Sequence, residues 1–338
     1  MPFWGLFSND IAIDLGTANT LIYMKGKGIV LNEPSIVTFD VTSRKIVAIG
    51  TEAKKMMGKV HKELNTIRPM RDGVIADFEI AESMIRMFIK SITSNWMPAK
   101  RIVVCVPSGI TEVEKRAVRD TAEHAGAKEV YLISEPMAAA IGIGLDVMAP
   151  MGNMVVDVGG GTTEIAVIAL AGMPNGVSIR IAGDELTESI IRFFRNNQNI
   201  LIGERTAEEI KCQVGTVMPM KEEVIIEVKG RDLVSGIPKI TEVSSIEIRE
   251  ALNPAVNQMV EAVKVALEKT APELSADILE RGIFLTGGGA LLKGLDERIK
   301  VETGVPVHIA DDPLTAVARG TGKVLENLDY YKKVMLKR

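Results

Sequence analysis

An α/β fold with two cores follows from three features of the 338-residue sequence. Short Ile/Val-rich segments alternate with helix-length amphipathic segments throughout, as in layered α/β architectures. One strand–turn–strand pattern occurs twice, at 11–24 and at 154–170. Two patchier, more charged stretches, 32–72 and 216–244, read as small units inserted into the larger ones. At about 100–200 residues per domain, the length fits two domains.

Residues 10–15 and 20–24 are predicted as the first strand pair. The insertion at 32–72 follows, with β-like runs such as KIVAIG at 45–50. Helices are expected at 77–93 and 111–125, on either side of a strand at 101–106. A strand at 129–133 leads into a helix at 135–145, and 153–158 with 164–170 form the second strand pair. Helices at 183–198 and 205–214 precede the β-like run VIIEVKG at 224–230. ERTAEEIK at 204–211 reads as a helix start, with Thr206 as N-cap and Glu209 three positions later closing a capping box. In a helix at 254–270, Val256, Val260, Val263 and Leu267 recur at helical spacing and form a core-facing stripe. A strand at 282–286, a helix at 289–300 and a helix at 313–327 complete the chain.

Composition excludes several classes. With 46% apolar residues the chain is not bulk-disordered. Forty Lys+Arg against 44 Asp+Glu gives no basic surface for nucleic acid. Cys105 and Cys212 belong to no CxxC pair, and His61, His124 and His308 are isolated, so the two thiols are expected free and a His/Cys metal site is not expected. No apolar run approaches the ~20 residues of a membrane span. MPFWGLFSND lacks the basic start and apolar length of a signal peptide, so a cytoplasmic protein is expected.

The repeat carries the chemistry. Laying IAIDLGTANTLIYM on MVVDVGGGTTEIAVIAL pairs Asp14 with Asp157, Gly16 with Gly159 and Thr20 with Thr163. Each copy is an apolar strand ending in Asp-x-Gly, a Gly/Thr-rich turn and a second strand. Glycine lets the backbone approach a phosphate closely, its N–H groups converge on oxygens, and Thr adds donors. An Asp at each strand end suits a hydrated Mg²⁺, which keeps most of its waters. Two such turns face to face would clamp a polyphosphate. Neither a P-loop nor a dinucleotide-binding fingerprint is present. GIFLTGGGALLKGL at 282–295 adds a third corner, a strand passing through Gly287, Gly288 and Gly289 into a helix beginning near Ala290.

Together these residues resemble the actin–Hsp70–sugar-kinase superfamily. Asp14-Leu-Gly-Thr-Ala-Asn is similar to its first phosphate motif, Asp157-Val-Gly-Gly-Gly-Thr to its second, Thr286-Gly-Gly-Gly-Ala to its adenosine motif, and SEPMAAAIG at 134–142 to its first connecting helix. With GIVLNEPS, RPMRDGVIADF, VCVPSG, ERTAEEIK, LTGGGALLKGLD and ADDPLTAVARGTG, the chain resembles, colinearly over roughly 8–328, the MreB family of bacterial actins. The resemblance implies an actin-like ATPase fold of two ribonuclease-H-like domains around a nucleotide cleft. Subdomain IA would comprise 1–31, 73–145 and 313–338, and IB 32–72. IIA would comprise 146–182 and 246–312, and IIB 183–245.

The resemblance further implies ATP or ADP with Mg²⁺ as ligands. Asp14 and Asp157 would hold the metal through water. Gly16, Thr17, Ala18 and Asn19 would meet the phosphates from one side and Gly159, Gly160 and Gly161 from the other. Leu21 stands where actins place a Lys, which leaves charge neutralisation to metal and backbone dipoles. Glu135 and Thr162 would position the hydrolytic water. Glu208, Glu209 and Lys211 would reach the ribose or base, and Gly288, Gly289, Ala290 and Leu291 would flank the adenine.

Two apolar segments suit a membrane surface: Phe3, Trp4, Leu6 and Phe7 at the N-terminus, and Trp96 with Met97 in a loop flanked by Lys90, Lys100 and Arg101. Weak sites of this kind gain strength when many copies assemble. The family implies filaments of this chain, as antiparallel paired protofilaments on the inner face of the membrane, that guide cell-wall synthesis and maintain rod shape. It implies RodZ, MreC, MreD and the elongation synthases as partners. Val113 and Arg116 on the helix at 111–126 are candidates for protofilament pairing, although an ordinary amphipathic surface helix reads the same way. A soluble actin-fold small-molecule kinase and a chaperone-like switch are the alternatives. The first would need a pocket and base for an acceptor hydroxyl, the second a peptide-binding domain.

Overall fold

The computed structural model describes residues 10–93 and 101–336. Its backbone is two five-stranded sheets of the same design. In the first, Glu129–Ser134, Arg101–Val106, Ile11–Leu15, Asn19–Met24 and Gly28–Pro34 lie side by side in that order. In the second, Val307–Ile309, Ile283–Thr286, Asn153–Val158, Thr163–Ala169 and Gly172–Ile179 repeat the order. In both, the hairpin strands and the third strand that follows them pair antiparallel, and the two contacts on the other side of the hairpin's first strand are parallel.

These strands read as nearly continuous apolar runs because both faces are covered. Ile11, Ile13 and Leu15 point into the core of the first unit, whereas Ala12 between them faces the opposite layer. Met154, Val156 and Val158 likewise enter the second core and Val155 the opposite layer. That opposite layer is shared. Ala12, Val103, Cys105, Val155, Ala166 and Ile168 from both sheets pack around the helices Glu135–Gly142 and Ala316–Glu326. The helices cross where both lack side chains: a Cβ on Gly142 would overlap the carbonyl oxygen of Ala316, and one on Gly320 that of Ala138.

Two three-stranded sheets stand apart from these cores. Ile46–Ile49, Val37–Asp40 and Leu64–Ile67 form one, and Ile200–Leu201, Ile225–Asp232 and Pro238–Ser244 the other. The first lies within 32–72, and Ile225–Asp232 and Pro238–Ser244 lie within 216–244, whereas Ile200–Leu201 precedes that second stretch.

Several boundaries differ from expectation. The helix expected at 254–270 begins nine residues earlier, at Ser245. Ser244 and Glu247 close a capping box there, and the helix runs through Pro254, since buried Ile248 and Leu252 hold its first turns against the core. The helix expected at 135–145 ends at Gly142. The helix expected at 289–300 is a 3₁₀ turn, Gly288–Leu291, followed by a separate helix, Leu295–Thr303, because Gly294 adopts φ +81° between them. The final helix, Ala316–Glu326, is likewise preceded by a 3₁₀ turn, Pro313–Thr315. In ERTAEEIK the helix starts at Glu204 with Gly203 as N-cap and no side-chain cap. Thr206 therefore lies inside the first turn, and Glu209 pairs with Arg205 (Nε–Oε1 2.9 Å) instead of closing a capping box. Buried Ile202 fixes where the chain turns into this helix.

Candidate functional site

The two copies of the repeat fold into the same turn. Leu15 pairs with Thr20 and Gly16 N–H donates to Asn19 O (3.1 Å). Val158 pairs with Thr163 and Gly159 N–H donates to Thr162 O (2.9 Å). The turns meet tip to tip. A Cβ on Gly160 would lie 2.9 Å from the Ala18 Cβ, and one on Gly161 2.7 Å from Thr17 Oγ1 and 2.8 Å from Asp72 N, so only glycine permits this approach. Neighbouring backbone braces both tips: Gly73 N–H donates to Thr17 Oγ1 (3.1 Å), and Gly183 and Asp184 N–H donate to Gly159 O (3.1 Å) and Gly160 O (2.8 Å).

A cavity of about 870 Å³ opens between the two halves. Asp14, Gly16, Thr17, Ala18, Asn19, Glu135, Asp157, Gly159, Gly160, Gly161 and Thr162 all line it, as do Glu208, Glu209, Lys211, Gly288, Gly289 and Leu291. Leu21 faces it too, so no cation projects from that point of the first hairpin. Ala290 is the exception among the expected residues. It is fully buried in the second core, because the 3₁₀ turn points it inward while its neighbours face the cavity. The third corner is pinned by Gly287, at φ +79°, whose N–H donates to Pro313 O (2.9 Å). Glu208 and Lys211 pair with each other (2.6 Å). Lys211 Nζ also reaches Gly183 O and Thr187 Oγ1 (both 2.9 Å), which ties this helix to the turn beneath it.

Beneath the turns lie several carboxyls, with Asp157 and Glu164 buried and Asp14 and Glu135 half-buried. Burial raises Asp14 to about 6, despite the Cys105 thiol donating to it (3.2 Å). Burial also raises Asp157 to about 7. The hydrogen bond from Thr286 Oγ1 (2.7 Å) opposes that shift, and the charges of Asp14 and Glu164 add to it. Glu135 is pushed well above its usual range by burial first, then by Glu164, Asp157 and Asp14. Negative charge concentrated in a dry site is costly unless a cation answers it. Among the described residues no three His, Cys, Asp or Glu side chains come together closely enough to ligate a metal directly. The arrangement fits a hydrated divalent ion approached by two carboxylates, not a protein-caged one.

Glu164 was missed by sequence reasoning. It accepts from Ser108 N–H (3.0 Å), Ser108 Oγ and Ser178 Oγ (2.6 Å), and is completely buried. Its signal was available: it sits opposite Asp157 in the second hairpin, where the first hairpin places Leu21 opposite Asp14.

The expected membrane segments, Phe3, Trp4, Leu6, Phe7, Trp96 and Met97, lie outside the described residues. No helix among the described residues is long and apolar enough to cross a membrane. Val113 is 79% exposed on the helix Glu112–His124, and Arg116 beside it is also exposed, 3.8 Å from Asp120.

Comparison with known proteins matches these features to one group. Residues 8–333 fit the sequence model of the family described as MreB/Mbl protein. Cell shape-determining protein MreB of Escherichia coli K12 is 54% identical over 335 residues, covering 97% of this chain and 96% of that protein. Cell shape-determining protein Mbl of Bacillus subtilis 168 is 49% identical over 329 residues, covering 97% and 99%. Crystal structures of MreB5 of Spiroplasma citri, bound to ADP and to AMPPNP, each superpose with a TM-score of 0.90 at 36% identity, covering 96% of this chain and 97% of theirs.

Proposed function

The chain belongs to the MreB/Mbl protein family, and from that premise we propose that it is a bacterial actin whose binding and slow hydrolysis of ATP·Mg²⁺ drive assembly of membrane-associated filaments. It is a cell shape-determining protein, and the filaments would organise wall synthesis to maintain rod shape. The observation that carries the nucleotide reading is the pair of Gly/Thr-rich turns of the same conformation meeting tip to tip over the carboxyls that line the cavity. The subdivision into IA, IB, IIA and IIB remains our proposal, supported by the two small sheets set apart from the two large ones.

In this reading the turn amides and Thr17 face the phosphates, and Asp14 and Asp157 would hold Mg²⁺ through water. The ion would supply the positive charge that Leu21 does not, and would favour ionised carboxyls beneath the turns. Glu135 accepts a hydrogen bond from the attacking water and Thr162 orients it. Both act by positioning, which is most of what phosphoryl transfer asks of a protein. Glu208, Glu209 and Lys211 approach the ribose or base, with Gly288, Gly289 and Leu291 on the other side.

Asp157→Asn separates the stability role of this carboxyl from its ligand role. The folded-state value of Asp157 is raised, so it contributes to stability near pH 4 and loses that contribution as pH rises through about 7. The nucleotide-free variant should therefore melt higher than the parent at pH 8 and equally near pH 4. The upward melting shift that ATP·Mg²⁺ gives the parent should be absent from it. A variant that melts lower at pH 8, or keeps the full ligand shift, contradicts this assignment.

Assembly is tested by pelleting full-length protein with ATP·Mg²⁺, with and without anionic liposomes, beside a variant lacking residues 2–8. Nucleotide-dependent pelleting that moves onto liposomes supports the membrane filament, and its loss in the variant places the anchor at Phe3–Phe7. Protein that binds ATP yet stays monomeric in every condition sinks the filament reading in favour of a soluble kinase.

A further inference from the structure

The two halves of the chain are joined at the cavity rim by one contact whose chemistry differs from everything below it. Arg68 follows the strand Leu64–Ile67 of the first small sheet, and Glu204 opens the helix Glu204–Val214 beside the second. Their side chains meet across the cleft: Arg68 Nη2 lies 2.5 Å and Nε 3.1 Å from the same Glu204 oxygen. Both residues line the cavity. Among the described residues this is the one ion pair between residues 10–145 and 146–312. The other side-chain links between these halves among the described residues, Ser108 with Glu164 and Ser134 with Met173, involve no residue that lines the cavity.

The placement of the pair decides what it can do. Arg68 is 23% and Glu204 44% exposed, so the contact sits at the edge of solvent, where it can break and reform without disturbing either core. Asp184, at the start of the helix Gly183–Asn197, lines the same wall of the cavity as Glu204. The crossed helices hold the two halves together at one end of the cavity, and Arg68 with Glu204 bridges them at its rim. Breaking this bridge would leave the rim free to widen above the two turns.

We propose that Arg68 and Glu204 form a latch across the rim of the cavity and that this latch sets the residence time of the bound nucleotide. The inference rests on the nucleotide reading given above. An exposed ion pair contributes modestly, so the latch tunes the rate of release and does not decide whether binding occurs.

The test is stopped-flow displacement of mant-ATP·Mg²⁺ by excess ATP from full-length protein, at concentrations too low for pelleting. The variants are Arg68→Ala, Glu204→Ala and the double variant. Each single variant should release the label about two- to five-fold faster than the parent. The double variant should release it no faster than either single one, because the second substitution finds the contact already gone. Rising ionic strength should speed release from the parent and leave the double variant nearly unchanged. Unchanged release in the single variants, or effects that multiply in the double variant, would overturn the latch; the second result would mean that each residue touches the nucleotide independently. A parent chain that binds no mant-ATP would instead sink the nucleotide reading, and the latch with it.

Discussion

Glu135→Gln should leave nucleotide affinity within about twofold of the parent while phosphate release under single-turnover conditions falls at least tenfold, the scale of losing the carboxylate that positions the attacking water. The argument starts from location. Glu135 is the first residue of the helix Glu135–Gly142, lines the cavity, and shares its floor with Asp14 and Asp157. Its carboxyl has no hydrogen-bond role in holding the fold comparable to that of Glu164, which is fixed by three donors. The helix N-terminus favours a carboxylate at this position, and a water beside the terminal phosphate would give the same group a partner. Gln keeps the size and a carbonyl acceptor, so the variant should fold and bind. It also removes a charge that Glu164, Asp157 and Asp14 oppose, so its nucleotide-free form should melt no lower than the parent. Unchanged turnover would remove Glu135 from the mechanism.

Gly320→Ala should have the largest effect on stability, at the upper end of overpacking substitutions, about 3 kcal/mol. At 338 residues that corresponds to a fall in Tm of about 4 °C. The new methyl would occupy the space of the Ala138 carbonyl oxygen and press on Gly142 N, both backbone atoms in the opposing helix. Neither helix has a side chain there to rotate away, so the helices must move apart. Among the described residues they form the packing layer shared by both large sheets, so the displacement reaches both halves of the cavity. Gly142→Ala should behave alike, since its methyl would meet the Ala316 carbonyl. Gly203→Ala is the control. Its Cβ would enter open space, its φ is −84°, and the cost should stay below about 1 kcal/mol. Thermal unfolding of the three variants checks the prediction, and a Gly320→Ala melt matching the control would show that the helices tolerate separation.

What the sequence alone determined about this protein was local and repeated. The strands, the Asp-x-Gly turns and the duplication were legible because alternation, glycine turns and strand-end carboxylates are properties of a few adjacent residues. Two hairpins spelled alike folded alike, to the same turn hydrogen bond. The tertiary structure alone decided features that depend on distant neighbours. The helix at Glu204 begins where buried Ile202 anchors it, not where Thr206 offers a cap. Ala290 turns into the core although its neighbours face the cavity. Glu164 reads as one charge in a strand until Ser108 and Ser178 are seen to hold it. Gly142 with Gly320, and Arg68 with Glu204, become pairs only when the chain brings together residues more than a hundred positions apart. Steric exclusion and charge pairing act across space, and the linear order of residues carries no measure of that distance.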